Sequence, residues 1–199
     1  MHRRKLPWYR RIVWSRFLCF LMVTGLLAAG GIALLHPAAD AAGRKLYPKT
    51  YDKWIEAYSK EYGMDPDFVY AVAKTESNFD PNARSDADAR GVMQLTKDAF
   101  EWVQYRMGDE SGVTYDDIYS PEVAIKYGVR MLSLLKEEMG NDPAVILASY
   151  HAGMGAVKKW LADPQYSADG KSLHTIPYRD TNWYVDKVLE TQDMYKKLY

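Results

Sequence analysis

Between Pro66 and Asn78 the chain reads PDFVYAVAKTESN, and its apolar residues recur with the period of an α-helix. Val69, Val72 and Ala73 fall on one face at i, i+3 and i+4, and the next position on that face is Glu76. Phe68, Val72, Thr75 and Phe79 run beside it. A carboxyl turned toward a core is costly unless it is paired or does chemistry. Burial raises its pKa and holds the proton near neutral pH, the state a general acid needs. The structural alternative is an ion pair with Arg84 or Arg90 a short distance downstream, and periodicity leaves the two readings open. The four histidines give no metal spacing, because His2, His36 and His174 are far apart in sequence, and His151 stands alone in its segment. No cofactor is implied.

The elements that would position Glu76 are helical. Tyr51–Tyr62 is a first segment, stopped by Gly63, and Asp65-Pro66 is a cap followed by proline at the first helical position. Asp80–Arg90 is polar and rich in turn residues, and reads as a loop. Helices are expected over Thr96–Met107, over Pro121–Met139, from Asp142-Pro143 to about His151, then a short one to Leu161, and a last one over Asp180–Leu198. No alternating stretch is long enough for a strand, so the expected class is all-α.

The chain has 199 residues with 26 Lys+Arg and 26 Asp+Glu, a formal net charge of zero. Hydrophobic residues at 48% and aromatics at 14% exclude a mainly disordered chain. Balanced charge argues against nucleic acid as the main partner. The zero is an average. Residues 1–16 hold six basic residues and no acidic one, which leaves 20 basic against 26 acidic residues beyond them, a net of −6. Phe17–Leu35 is a run of 19 residues without a charge. As a helix it would span roughly 28 Å, close to the hydrocarbon core of a bilayer. The preceding positive charges place the N-terminus in the cytoplasm, and Trp8, Tyr9 and Trp14 sit where interfacial anchors belong. The expected organisation is a cytoplasmic basic segment 1–16, a transmembrane anchor 17–36, a linker 37–49 and an exterior helical domain 50–199. The competing reading is a signal peptide cleaved after Ala39-Asp40-Ala41. The single cysteine, Cys19, lies in the apolar run, so a disulfide framework or Cys-based metal site is excluded beyond it.

Four further stretches extend the Glu76 signal. Glu76-Ser-Asn-Phe-Asp-Pro-Asn-Ala-Arg-Ser85 and Gly91-Val-Met-Gln94 resemble the E-S-x-F-x-P-x-A-x-S and G-x-G-[LV]-M-Q elements of bacterial lytic transglycosylases of the soluble (SLT) type, whose catalytic domain is lysozyme-like of the goose type. Leu147-Ala-Ser-Tyr150-His-Ala-Gly153-Met-Gly155-Ala-Val157 resembles A-x-Y-N-A-G-x-G-x-V, and Pro177-Tyr-Arg-Asp-Thr181 with Tyr184-Val185 resembles P-x-x-E-T-x-x-Y-V. The order and intervals match over about residues 51–190. Five positions depart from the pattern. Asp88 stands where the family has Gly, Lys97 where it has Pro, Ala124 and His151 where it has Asn, and Asp180 where it has Glu.

The resemblance implies non-hydrolytic cleavage of the MurNAc-β-1,4-GlcNAc bond of peptidoglycan, with Glu76 as acid and then base and a 1,6-anhydromuramoyl product. It implies substrate contacts at Ser85, Gln94, Met93, Tyr150 and His151. The implied partners are peptidoglycan glycan strands and, through the N-terminal helix, the membrane, with wall-assembly or secretion machinery left unidentified. The implied location is the bacterial cytoplasmic membrane, single-pass, with the catalytic domain facing the wall. Two rivals remain: a hydrolytic muramidase using a second acid from Asp80, Asp86 or Asp88, and a catalytically weak wall-binding or scaffold protein.

Overall fold

A computed structural model describes residues 39–199 together with Met22. The apolar run expected as a membrane anchor and the basic segment before it lie outside the described residues, and among those described no helix is long and apolar enough to cross a membrane. Residues 39–46, inside the segment expected as an irregular linker, are helical. Ala39, Ala41 and Ala42 account for this, because alanine has the highest helix propensity. A second compact unit runs from Tyr47 to Tyr199.

That unit holds seven α-helices: α1 Asp52–Tyr62, α2 Pro66–Ser77, α3 Lys97–Met107, α4 Pro121–Met139, α5 Pro143–Ala152, α6 Met154–Leu161 and α7 Arg179–Leu198. A short 3-10 helix, Tyr115–Tyr119, not expected from the sequence, precedes α4. Its Thr114 and Asp117 form a capping box, a local signal too short for periodicity to register. Caps set the other ends. The Asp65 carboxylate accepts from the Asp67 N–H at 3.0 Å, and that of Asp142 from the Ala144 N–H at 2.8 Å, each with proline next in the chain. Among the described residues the only extended pairings are isolated bridges, Arg84 with Arg90 and Arg90 with Leu95.

Helix α4 is the axis, with Ile125, Val129, Leu132, Leu134 and Leu135 all at 0% exposure. Helices α1, α3 and α5 pack on it, while α2 makes its widest contact with α7 from the far end of the chain. The run Phe68–Ala73 of α2 is buried on every side, so this helix is a strut through the core. Tyr195 of α7 stacks on Tyr70 of α2 at 5.2 Å and donates its hydroxyl to the Pro48 carbonyl at 3.0 Å, pinning the start of the unit to its last helix.

Two glycines mark where the loop after α2 presses on α4 and the 3-10 helix. A Cβ on Gly128 would lie 2.6 Å from Met93 Cγ, and one on Gly91, whose φ is +72°, would meet the Ile118 carbonyl oxygen. Met93 is fully buried and has little room to yield, but it is a side chain, whereas the Ile118 carbonyl is backbone. Gly128→Ala should therefore cost about 1–3 kcal/mol, the usual range for overpacking. Gly91→Ala should cost more, because steric clash and left-handed strain combine. Urea denaturation of both variants checks the order.

Candidate active site

Glu76 occupies the last turn of α2, and solvent reaches only part of it. The next residues leave the helix abruptly: Asn78 and Phe79 both adopt left-handed backbone, with φ of 52° and 66°. For a bulky aromatic this is uncommon, and it is tolerated because the Phe79 side chain is buried. The reversal folds the loop 80–95 back against the end of α2, where the Ser77 hydroxyl donates to the Val92 carbonyl at 2.8 Å.

The carboxyl of Glu76 receives one side-chain hydrogen bond, from the hydroxyl of Tyr184 on α7, at 2.6 Å to Oε1. Burial raises its pKa to about 7, and the Tyr184 bond, which favours the ionised form, pulls in the opposite direction without overcoming it. Neither arginine expected as an alternative partner is engaged with Glu76. Arg84 and Arg90 both pair with Asp88, and Arg90 also reaches Asp116 at 2.9 Å. Glu76 thus has no cation partner among the described residues.

Tyr150 of α5 is fully desolvated around its hydroxyl, which donates to the Met93 carbonyl at 2.7 Å. Its pKa is pushed well above the ordinary tyrosine value by burial and then by the nearby charge of Glu76. The Tyr184 hydroxyl is pushed up by the same causes. Two phenols that cannot ionise therefore flank the acid. His151, exposed, stacks on the Tyr184 ring at 4.6 Å and shares a 3.1 Å hydrogen bond between Nδ1 and the Thr181 hydroxyl. Burial of its ring lowers its pKa, opposed by Asp180. His151, Tyr178, Arg179 and Asp180 line a cavity of about 440 Å³ beside the pair. A larger cavity of about 520 Å³, among Glu61, Arg106, Lys126 and Arg130, contains none of the candidate residues.

The loop 80–95 owes its shape to Ser85 and Gln94. The Ser85 Oγ accepts from the Ala89 N–H at 3.1 Å, closing a turn, and the Gln94 amide nitrogen donates to the Ala83 and Gly91 carbonyls at 3.1 and 3.0 Å. Both keep acceptor capacity, since the hydroxyl has a second lone pair and the amide its oxygen. Met93, also expected as a substrate contact, is instead a packing residue: at 0% exposure its side chain cannot meet a ligand, and only its carbonyl serves the site, through Tyr150.

The departures from the motif have local reasons. Asp88 has φ +59°, a conformation natural to glycine and tolerated by aspartate, and it uses the added carboxylate to tie Arg84 and Arg90 together. The Arg90 guanidinium lies 4.4 Å over the Tyr115 ring, and the Tyr115 hydroxyl donates to the Asp88 and Leu95 carbonyls. Lys97 is the first residue of α3 after its Thr96 cap, the position where proline fits equally well. Ala124 is fully buried and faces Gly91, and Asp180 lies in the first turn of α7, where a negative charge is favoured.

The sequence pattern does not single out Tyr184 as a site residue. It lies at helical spacing with Val185 and Val188, both buried, so the pattern marks it as core. Only its place in the last motif, beside Val185, carried a signal.

Residues 53–172 match the family model of the transglycosylase SLT domain. The chain belongs to this family. It is 26% identical over 158 residues to a soluble lytic murein transglycosylase of Salmonella typhimurium, covering 75% of this chain and 23% of that protein. It is 25% identical over 211 residues to membrane-bound lytic murein transglycosylase C of Cronobacter sakazakii, covering 92% of this chain and 58% of the relative. Among solved structures, an inactive glutamate-to-glutamine mutant of the lytic transglycosylase Slt from Pseudomonas aeruginosa superposes with a TM-score of 0.68 at 27% identity, over 76% of this chain and 25% of that one. The SLT domain described here thus spans about a quarter of the length of the soluble relatives it matches, and shares their all-helical, lysozyme-like fold.

The raised pKa of Glu76 has a stability consequence. Below pH 4.5 folded and unfolded chains both hold the proton, and no penalty exists. As pH rises from there through about 7 the unfolded chain ionises first, so the fold loses stability, by up to about 3 kcal/mol. Glu76→Gln should be more stable than the native chain near pH 8 and nearly indistinguishable from it near pH 4, as read by thermal unfolding across that range.

Proposed function

We propose that this SLT domain is a peptidoglycan lytic transglycosylase in which Glu76 serves as both acid and base. The observation that carries the reading is a buried carboxyl with no cation partner, poised near neutral pH and held by one phenol. Near pH 7 about half the molecules hold the proton needed to protonate the glycosidic oxygen as the bond breaks. The resulting carboxylate then takes the proton of the muramoyl C6 hydroxyl as that oxygen attacks C1, giving a 1,6-anhydro end. Oxygen and proton balance within the substrate, so neither water nor a second carboxylate is consumed. Of the three loop acids a hydrolase could use, Asp88 is engaged by two arginines, Asp80 accepts the Asn82 N–H at 2.8 Å, and Asp86 is exposed.

In this reading Tyr184 orients Glu76 and stabilises its ionised form between the two proton transfers. Tyr150 supports the loop carrying Gln94, while Ser85 and Gln94 offer their remaining oxygens to the sugar. His151 contributes a polar edge at the cavity rim. The names of the relatives support the substrate, and the membrane-bound ones support a wall-facing location. With them, the 19-residue apolar run and its six basic neighbours support a single-pass anchor at 17–36 and an exterior domain at 50–199. N-terminal sequencing of the membrane fraction tests the anchor: a mature chain starting near Asp40 or Ala42 would overturn it.

Digestion of purified peptidoglycan followed by mass spectrometry should yield products one water lighter than reducing ends. Reducing ends would instead identify a hydrolase. Glu76→Gln should abolish release, with a loss of at least about a hundredfold. Tyr184→Phe removes the bond that favours the carboxylate, so it should slow turnover and move the alkaline limb of the pH–rate profile, expected near the Glu76 pKa of about 7, to higher pH.

A further inference from the structure

A smaller cavity, about 230 Å³, opens on the seam between α2 and α7, with Lys74, Thr75, Trp183, Lys187 and Tyr47 in its wall. Thr75 and Trp183 are the chain neighbours of Glu76 and Tyr184, so the cavity is built on the same two helices as the acid–phenol pair. Its electrostatics run against the domain around it. Two ammonium groups converge here in a chain whose net charge beyond residue 16 is −6, and neither has an acid within ion-pair distance among the described residues. Lys74 donates to the Asn78 side-chain oxygen at 2.9 Å and lies 5.3 Å over the Tyr47 ring, contacts that fix it without neutralising it. Burial and then the like charge of Lys187 lower its pKa, which an arriving anion would reverse.

Two further observations point to a ligand. Trp183 is 63% exposed, a large aromatic surface left uncovered on the same rim. The Thr75 Oγ1 is buried without a hydrogen-bond partner, an orphan in a domain that satisfies nearly all such groups. An indole beside two cations and a spare hydroxyl is the chemistry that receives a sugar ring carrying an oxyanion: CH groups on the aromatic face, and carboxylate or phosphate between the ammoniums. We propose that this seam cavity binds an acidic saccharide, taking its carboxylate or phosphate between Lys74 and Lys187 and its ring on Trp183. The proposal rests on the wall-glycan reading above for the source of that ligand, and places a second hold on it on the two helices that carry Glu76 and Tyr184.

The full chain carrying Glu76→Gln, solubilised in detergent, allows binding to be read without cleavage. The probes are N-acetylmuramic acid, which carries a carboxylate, N-acetylglucosamine 6-phosphate, and neutral N-acetylglucosamine. The signal is the indole N–H resonance of Trp183, assigned by its loss in Trp183→Phe. At least one charged sugar should shift this resonance, with neutral N-acetylglucosamine about tenfold weaker, as expected when a charged hydrogen bond is lost. Exposed Lys187 can be changed without disturbing the core, and Lys187→Gln should weaken the charged sugar by a similar factor, as should added salt. Response to the carboxylate alone assigns a muramyl source, and to the phosphate alone a phosphorylated polymer; either upholds the site. Equal binding of the neutral sugar, an unchanged affinity in Lys187→Gln, or no movement of Trp183 overturns it. Binding without anhydro products from the native enzyme would keep the site and sink the catalytic reading, and the converse would do the reverse.

Discussion

Everything in this domain turns on keeping one carboxyl dry without giving it a cation. Glu76 lies where burial favours its neutral form, and the single bond from Tyr184 limits how far that preference goes. A second donor or a nearby arginine would drop the pKa toward the ordinary carboxylate range and leave no proton to give. No donor at all would leave burial unopposed and hold the proton to higher pH. The surrounding architecture maintains that balance: α2 runs buried through the core, α7 supplies the phenol, and the loop after α2 keeps its arginines turned to Asp88.

Asp88 shows how a position can change residue type and keep its job. The backbone there must be left-handed, which is why glycine suits it. Aspartate accepts the same conformation, and its carboxylate ties Arg84 and Arg90 together. The stack of Arg90 on Tyr115, and the two carbonyls held by the Tyr115 hydroxyl, extend that restraint to the 3-10 helix.

The helices were legible because their signals are local: Asp65-Pro66, Asp142-Pro143 and the glycines after α1 and α3 fix ends within a few residues. Glu76 was legible because it broke an apolar pattern. Tyr184 was not, because a tyrosine among valines looks the same whether its hydroxyl meets a core carbonyl or a catalytic carboxyl. Met93, another motif residue, is fully buried. A motif residue can be fixed by packing, here against Gly128, as firmly as by substrate. Tyr115–Tyr119 escaped because a capping box on five residues gives no period to read.

The Glu76–Tyr184 bond joins residues separated by 108 positions, at the C-terminal end of α2, while Gln192 of α7 ties the other end through the Asp65 cap. A chain emerging from the ribosome carries Glu76 long before it carries Tyr184. Until α7 is made and docks on α2, the carboxyl sits in water as an ordinary glutamate, fully ionised at neutral pH and unable to protonate a sugar oxygen. The raised pKa of this carboxyl is therefore a property of the assembled domain, acquired only when α7 docks on α2.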